Sequence, residues 1–120
     1  KMFKISGEYV HHFGGYFGKA AELCHPRGIC VDKFGNILVA DFGHHCIRVF
    51  NCYGQLQTTM ITYPAATNAQ STLRPINLTL SPENKLIVLV VAFGFAQIRI
   101  YEYVPIDFVG KQESKACTIL

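Results

Sequence analysis

Cationic and aromatic side chains recur in two stretches of the chain where short loops can present them. Cations beside exposed rings suit single-stranded RNA, through phosphate pairing and base stacking, or an acidic and aromatic protein motif. The alternative for the two later phenylalanines is that they pack between neighbouring structural units, so that only the charged side chains meet solvent. The candidate binding residues are His25, Arg27, Phe42, His44 and His45 in the first stretch, and Arg74, Phe93 and Phe95 in the second.

No pattern in the sequence indicates catalysis. The serines at 71 and 81 lack a partnered histidine, the acidic residues are scattered, and Gly14-Gly15 is not followed by Gly-Lys-Ser/Thr, so a phosphate loop is not predicted. The cysteines show no Cys-x-x-Cys spacing, which favours reduced, structural thiols over a metal site built with the neighbouring histidine pairs. We therefore expect no cofactor in this segment. The cysteines concerned are Cys24, Cys30, Cys46 and Cys52.

Composition favours a cytoplasmic module with a substantial apolar core. Half of the residues are hydrophobic, and the formal net charge of +3 is too small to demand a nucleic-acid partner. The longest apolar run, residues 86–96, is interrupted by Gly94 and is far shorter than the ~20 residues of a membrane-spanning helix. We interpret that run as a buried strand, a tight bend and the start of the next strand.

The elements that must position the candidate residues are short β-strands. Alternating apolar residues predict strands over 28–32, 37–41 and 46–51, and the Gly35-Asn36 pair supplies the positive φ that a tight turn between the first two requires. Residues 42–45 connect the second strand to the third. Three such short strands need neighbouring structure to pack against, because none of them is stable alone.

An internal repeat supplies that neighbour. The segment from Leu73 lies 49 positions after Cys24 and begins a second copy, with Pro75 at the position of Pro26. After a two-residue insertion, residues 98–101 repeat residues 47–50. The second copy is degenerate at Val90, which stands where the first copy has Asp41.

Residues 25–50 resemble one NHL repeat, which is a blade of a β-propeller. The resemblance implies an all-β fold, a partial propeller of about two to three blades of four-stranded antiparallel sheet, taken from a six-bladed propeller. We expect the propeller fragment to cover 1–104, with a partial blade at 3–23 and further blades at 24–61 and 73–104. We expect residues 105–120 to form a flexible C-terminal tail.

The resemblance also implies site residues and a function. His45 occupies the position of the histidine in the repeat's usual Asn-His-Arg triplet, whereas Cys46 stands in place of the arginine. In the repeat that arginine often pairs with a blade aspartate such as Asp41, so its replacement puts an ion pair to Asp41 in doubt. The end of the chain is similar to that of tripartite-motif NHL proteins, which implies a parent RING-type ubiquitin ligase whose propeller selects a protein substrate or a messenger RNA. Zinc and the ubiquitin-conjugating enzyme would then bind only upstream domains. Peptidyl-amidating lyases and sensor kinases also carry the repeat.

The last four residues match a prenylation motif, with Cys117 as the acceptor and a terminal leucine of the geranylgeranyl type. Prenylation would make the module a lipid-tethered scaffold at a membrane surface. The same end could instead add as a strand to a PDZ groove, or it could be inert. Substitution of Cys117 by serine separates the first alternative from the others, because only prenylation predicts a loss of membrane partition.

Overall fold

The computed structural model describes residues 6–10, 12–13, 22–61 and 73–105. Within these ranges the chain forms seven strands arranged in two antiparallel sheets. No helix in this part of the chain is long and apolar enough to cross a membrane. The all-β fold implied by the resemblance to the NHL repeat is confirmed, and the two antiparallel sheets are consistent with a fragment of a propeller.

The first sheet has four strands in sequential order. Its members are β1 (Pro26–Val31), β2 (Ile37–Asp41), β3 (Cys46–Phe50) and β4 (Leu56–Ile61), and a short 3-10 turn, Phe42–His44, joins β2 to β3. The first strand begins two residues earlier than predicted, because Pro26 can start a strand that needs no N–H there. It ends at Val31, since the Asp32 carboxylate caps the following turn by accepting hydrogen bonds from the N–H groups of Phe34 and Asn36, each at 2.9 Å.

The second sheet has three described strands, also in sequential order. They are β5 (Arg74–Leu80), β6 (Lys85–Ala92) and β7 (Phe95–Glu102). The apolar run at 86–96 is therefore a strand, a bend at Gly94 and the start of the next strand, as predicted, although β6 is buried on one face only and not on both. The division into blades at 3–23, 24–61 and 73–104 stays a prediction, and the tail at 106–120, with Cys117, lies outside the described residues.

One apolar core joins the two sheets. Side chains from β2 and β3 pack against side chains from β5 and β6, and they are 0–5% exposed. The opposite face of the first sheet, around Phe50, is covered by Phe13, Leu23 and Leu56, with the Phe13 and Phe50 ring centroids 5.0 Å apart. The first sheet is therefore packed on both faces. The members of the core between the sheets are Leu38, Ala40, Ile47, Val49, Leu73, Leu78, Leu86, Val88 and Val90.

A polar contact joins the sheets at the end where β1 and β5 finish. Tyr103, which follows β7, donates a hydrogen bond from its hydroxyl to Asp32 Oδ2 at 2.7 Å. Its backbone N–H also donates to the Asn84 carbonyl at 3.0 Å. Burial, together with the hydrogen bond to Asp32, raises the pKa of the Tyr103 phenol well above its usual range, so the hydroxyl keeps its proton and remains a donor.

The cysteines only partly follow the expectation of reduced thiols. Cys24, Cys30 and Cys46 are free, and burial beside Asp32 raises the pKa of the Cys30 thiol to about 11. Cys52 is disulfide-bonded, so the expectation was wrong for this residue. Its buried position lies in the turn between β3 and β4 rather than in a strand. A disulfide requires proximity in space, which the absence of local Cys-x-x-Cys spacing does not exclude.

Candidate functional site

The turn between β2 and β3 is held in place by the segment that enters β1. The Gly43 N–H donates to the Cys24 carbonyl oxygen at 2.7 Å. The two segments approach so closely that a Cβ on Gly43 would lie 2.5 Å from that carbonyl oxygen. His45 closes the turn in the left-handed region, at a φ of 57°. The turn thus has a fixed shape, and it presents Phe42 and His44 at one end of the sheet.

A buried carboxylate organises the base of this turn. Asp41 is fully buried, and it accepts hydrogen bonds from the Cys24 N–H at 2.9 Å and from His44 Nδ1 at 2.7 Å. Arg48 places its Nε 3.0 Å from Asp41 Oδ2, forming an ion pair. The doubt over an ion pair at Asp41 is therefore resolved: Arg48, two residues beyond Cys46, supplies the cation.

Strand alternation could have identified Arg48 from the sequence. Asp41 is registered opposite Cys46, and a side chain two residues further along β3 lies on the same face of the sheet. Arg48 is therefore the next cation that can reach Asp41. The resemblance to the repeat indicated an arginine only at position 46, where this chain has a cysteine, and so it did not predict Arg48 as the partner of Asp41.

Two arginines lie against the same aromatic ring. The guanidinium carbon of Arg27, from β1, and that of Arg74, from β5, each lie 5.1 Å from the centroid of the Phe42 ring. Such cation–π contacts contribute about 0.5–1 kcal/mol each at exposed sites. Within the described ranges, neither arginine forms an ion pair with a carboxylate. We call this group the Arg27–Phe42–Arg74 stack.

Three histidines lie within a few residues of the stack residues in the chain. His45 lies close enough to Arg74 for its pKa to respond: burial lowers the pKa of His45, and the positive charges of Arg74 and His44 lower it further. His25, also in the left-handed region at a φ of 52°, places its Nδ1 3.3 Å from Cys24 Sγ. His44 is oriented by Asp41. Among the described residues, no three His, Cys, Asp or Glu side chains are grouped to hold a metal ion.

The lowered pKa of His45 predicts a pH-dependent stability. In the unfolded chain a histidine binds its proton near pH 6.5, so below that value the unfolded state binds more protons than the folded state, and stability falls with decreasing pH. His45→Asn removes this titration and keeps a residue type that tolerates a left-handed backbone. We expect the urea midpoint of the variant, relative to the unsubstituted protein, to be higher at about pH 5.5 than at about pH 7.5. An equal difference at both pH values would contradict this assignment.

The two later phenylalanines do not join the stack. Phe93 is 106% exposed at the bend between β6 and β7, and its ring therefore packs against no neighbour. Phe95 begins β7 and is 45% exposed. Neither ring is buried between the two described sheets. The structure thus brings together Arg27, Phe42 and Arg74, with His45 near Arg74. His25 and His44 each lie two residues from a stack residue in the chain.

Residues 23–50 match the family model of the NHL repeat. The chain contains an NHL repeat. The matched residues cover β1, β2, the 3-10 turn and β3, and so they include Arg27 and Phe42. They also include Asp41 and its partners Cys24, His44 and Arg48. Arg74 lies outside the match and comes from the second sheet.

A curated relative extends the similarity beyond one NHL repeat. The chain is 29% identical over 79 residues to NHL-repeat-containing protein 4 of Mus musculus. The aligned part makes up 66% of this chain and 51% of that protein, so the chain spans about half the length of the relative. This similarity covers more of the chain than the single repeat at 23–50.

Proposed function

We propose that this chain is a non-catalytic binding module that recognises a protein ligand through the surface around the Arg27–Phe42–Arg74 stack. The stack itself carries the proposal. Two guanidiniums from separate sheets are held on one ring, and within the described residues no carboxylate neutralises either. Arginines ordered in this way lose little further side-chain entropy on binding, and they offer paired N–H donors to a carboxylate.

The ligand that fits this chemistry is an acidic segment with aromatic side chains. Carboxylates would pair with the guanidinium edges, and an aromatic ring would pack beside Phe42 and the exposed imidazoles of His25 and His44. The one carboxylate at the base of the turn, Asp41, is buried and already paired, so it does not compete for Arg27 or Arg74. Single-stranded RNA is the second candidate, because the same guanidiniums and ring could hold phosphates and a base.

Charge removal at the stack separates these possibilities. We use a fluorescein-labelled peptide of alternating glutamate and tyrosine, and an oligouridine of similar length as the RNA probe. Arg27→Gln and Arg74→Gln should each weaken peptide binding by roughly tenfold or more, since a hydrogen bond to a charged group contributes about 1.5–3 kcal/mol. Arg99→Gln in β7, which removes an arginine from a different part of the second sheet, is the matched control and should bind as the unsubstituted protein does. Fluorescence anisotropy measures all four proteins.

The outcomes decide between the ligand classes. Peptide binding that depends on Arg27 and Arg74, with a shallow salt dependence, supports the proposal. Tight oligouridine binding with a steep linear fall of log affinity against log salt overturns it in favour of RNA. Binding of neither probe, or an equal loss on Arg99→Gln, removes the stack as the ligand site.

We further propose that the parent protein is a cytoplasmic RING-type ubiquitin ligase in which this module selects the substrate for ubiquitination. The support is the resemblance of the chain's end to tripartite-motif proteins together with the NHL repeat at 23–50. Sequencing the transcript upstream of Lys1 tests it directly. A Cys/His-rich RING and B-box followed by heptads would support the ligase, whereas a secretory signal or a kinase domain would overturn it.

A further inference from the structure

The Arg27–Phe42–Arg74 stack concentrates positive charge on one surface. Each guanidinium carbon lies 5.1 Å from the centroid of the shared ring, so the two carbons are separated by no more than twice that distance. The segments that carry the three residues contain no acidic side chain; they are residues 25–28, 42–45 and 73–76. Two positive charges therefore lie close together without a carboxylate from the same segments.

Asp41, the carboxylate next to Phe42 in the chain, does not neutralise the stack. It is fully buried, and it is held by Arg48, whose Nε lies 3.0 Å from Asp41 Oδ2, and by His44. Within the part of the chain that the structure describes, neither Arg27 nor Arg74 forms an ion pair. The surface thus has an excess of two positive charges, which a doubly negative ligand group complements better than a single carboxylate does.

A phosphate monoester is a protein modification that supplies this charge. It carries about −1.5 to −2 charges at pH 7 and three strong acceptor oxygens. Arginine binds phosphate oxygens through the paired N–H donors at its edge, and it binds aromatic rings through its planar face. In the stack an aromatic ring already contacts both guanidiniums. A ligand group that carries a phosphate and a ring can therefore use both kinds of contact at once.

We propose that the stack binds a phosphotyrosine side chain of the protein ligand, with the phosphate on the N–H groups of Arg27 and Arg74 and the ring packed beside Phe42. This inference rests on the proposed function, because it names the side chain that the same surface recognises. Phosphotyrosine joins in one residue the negative charge and the aromatic ring that fit this surface. Phosphoserine supplies only the charge, and tyrosine supplies only the ring. Phosphorylation of the ligand would then turn its recognition on.

Three versions of one peptide test the proposal on the full 120-residue chain. Each is a short fluorescein-labelled peptide of glutamate and glycine with one central residue, which is phosphotyrosine, phosphoserine or tyrosine. In fluorescence anisotropy the phosphotyrosine peptide should bind roughly tenfold more tightly than the tyrosine peptide, because hydrogen bonds between a guanidinium and a phosphate are charge-assisted. It should bind about threefold more tightly than the phosphoserine peptide, because its ring adds a contact with a guanidinium.

Substitutions show whether the preference for phosphate comes from the stack. Arg27→Gln and Arg74→Gln should each reduce the ratio of phosphotyrosine to tyrosine affinity to about threefold or less, because one guanidinium of the pair is lost. Arg99→Gln in β7 is the matched control and should keep the full ratio. Urea midpoints establish that each variant is folded.

His45 provides a second measurement at the same place. Burial lowers the pKa of His45, and the positive charges of Arg74 and His44 lower it further. A phosphate bound to Arg74 offsets those charges, so an NMR titration of the His45 ring should give a higher pKa in the phosphotyrosine complex than in the free protein. An unchanged pKa of His45 in the complex would contradict the placement of the phosphate beside Arg74.

The remaining outcomes distinguish this inference from the proposed function. Equal binding of the tyrosine and phosphotyrosine peptides that depends on Arg27 and Arg74 overturns this inference and leaves the proposed function in place. Equal affinity for the phosphoserine and phosphotyrosine peptides also overturns it, because the ring would then contribute nothing. Binding of none of the three peptides overturns both, and so does oligouridine binding that is tighter than binding of the phosphotyrosine peptide.

Discussion

Asp41→Asn is expected to destabilise the protein by about 3–5 kcal/mol, the cost of leaving one member of a buried ion pair without its partner. The Asp41 side chain is fully buried and that of Arg48 is 13% exposed, so water cannot replace the lost carboxylate. The asparagine carbonyl can still accept from the Cys24 N–H. Its amide group, however, would then point N–H donors at Arg48 and His44. A loss of this size is a large share of the 5–15 kcal/mol that a typical domain possesses.

Urea unfolding followed by far-UV circular dichroism measures this loss. Glu102→Gln is the control, since it breaks an ion pair whose Glu102 side chain is 76% exposed, and such surface pairs contribute at most about 1 kcal/mol. The double variant Asp41→Asn with Arg48→Met removes both charges. It should cost clearly less than the sum of the two single variants, because no buried charge is left unpaired. Additive losses would show that Arg48 and Asp41 do not depend on each other.

This prediction also bears on function, because Asp41 positions the proposed ligand site without touching a ligand. The carboxylate ties the segment entering β1 to His44 and to β3. Phe42 is the next residue after Asp41, so a loosened turn would move the ring on which Arg27 and Arg74 lie. Asp41→Asn should therefore weaken binding of the acidic peptide even in the absence of urea, when the variant is folded.

The strands could be predicted from sequence because their signals are local. Alternating apolar residues and the Gly35-Asn36 turn lie within a few residues of each other, and the second copy repeats Pro26 after 49 positions and the 47–50 pattern after 51. The structure places strands at both copies. Only the ends differ, since Pro26 and the Asp32 turn set the limits of β1 through geometry that periodicity does not show.

The assembly of the candidate site was less predictable, because it depends on contacts between sheets. The sequence indicated each cation and ring, yet the pairing of Arg74 with Phe42 requires β5 to lie beside β1. It also grouped Phe93 with the others, whereas the bend between β6 and β7 holds that ring in solvent. The alternation of residues in the sequence predicts which side chains share a face of one sheet. It does not predict how closely two sheets approach each other, because that distance depends on the smallest residues at their contact.

Gly28→Ala is expected to cost about 2–3 kcal/mol and to separate the two sheets locally. A Cβ on Gly28 would lie 2.6 Å from Asn77 Oδ1, 2.9 Å from Asn77 Cα and 3.2 Å from the Ile76 carbonyl oxygen. Two of these three atoms belong to the backbone of β5, so a change of rotamer cannot relieve the contact. β5 must move away from β1, and this opens the apolar core that joins the sheets.

The same displacement should disturb the ligand site, because Arg74 is the first residue of β5 and reaches Phe42 across this junction. Asn77→Ala alone is the control, and Asn77→Ala combined with Gly28→Ala should recover only part of the lost stability, since the contact with Asn77 Cα remains. Urea midpoints and acidic-peptide affinity are measured on all three variants.

Full recovery in the double variant would show that only the Asn77 side chain limits the approach of β5 to β1. An unchanged urea midpoint for Gly28→Ala would show that β1 and β5 do not approach as closely at Gly28 as the 2.9 Å distance to Asn77 Cα implies. The pairing of Arg74 with Phe42 would then lose its structural basis.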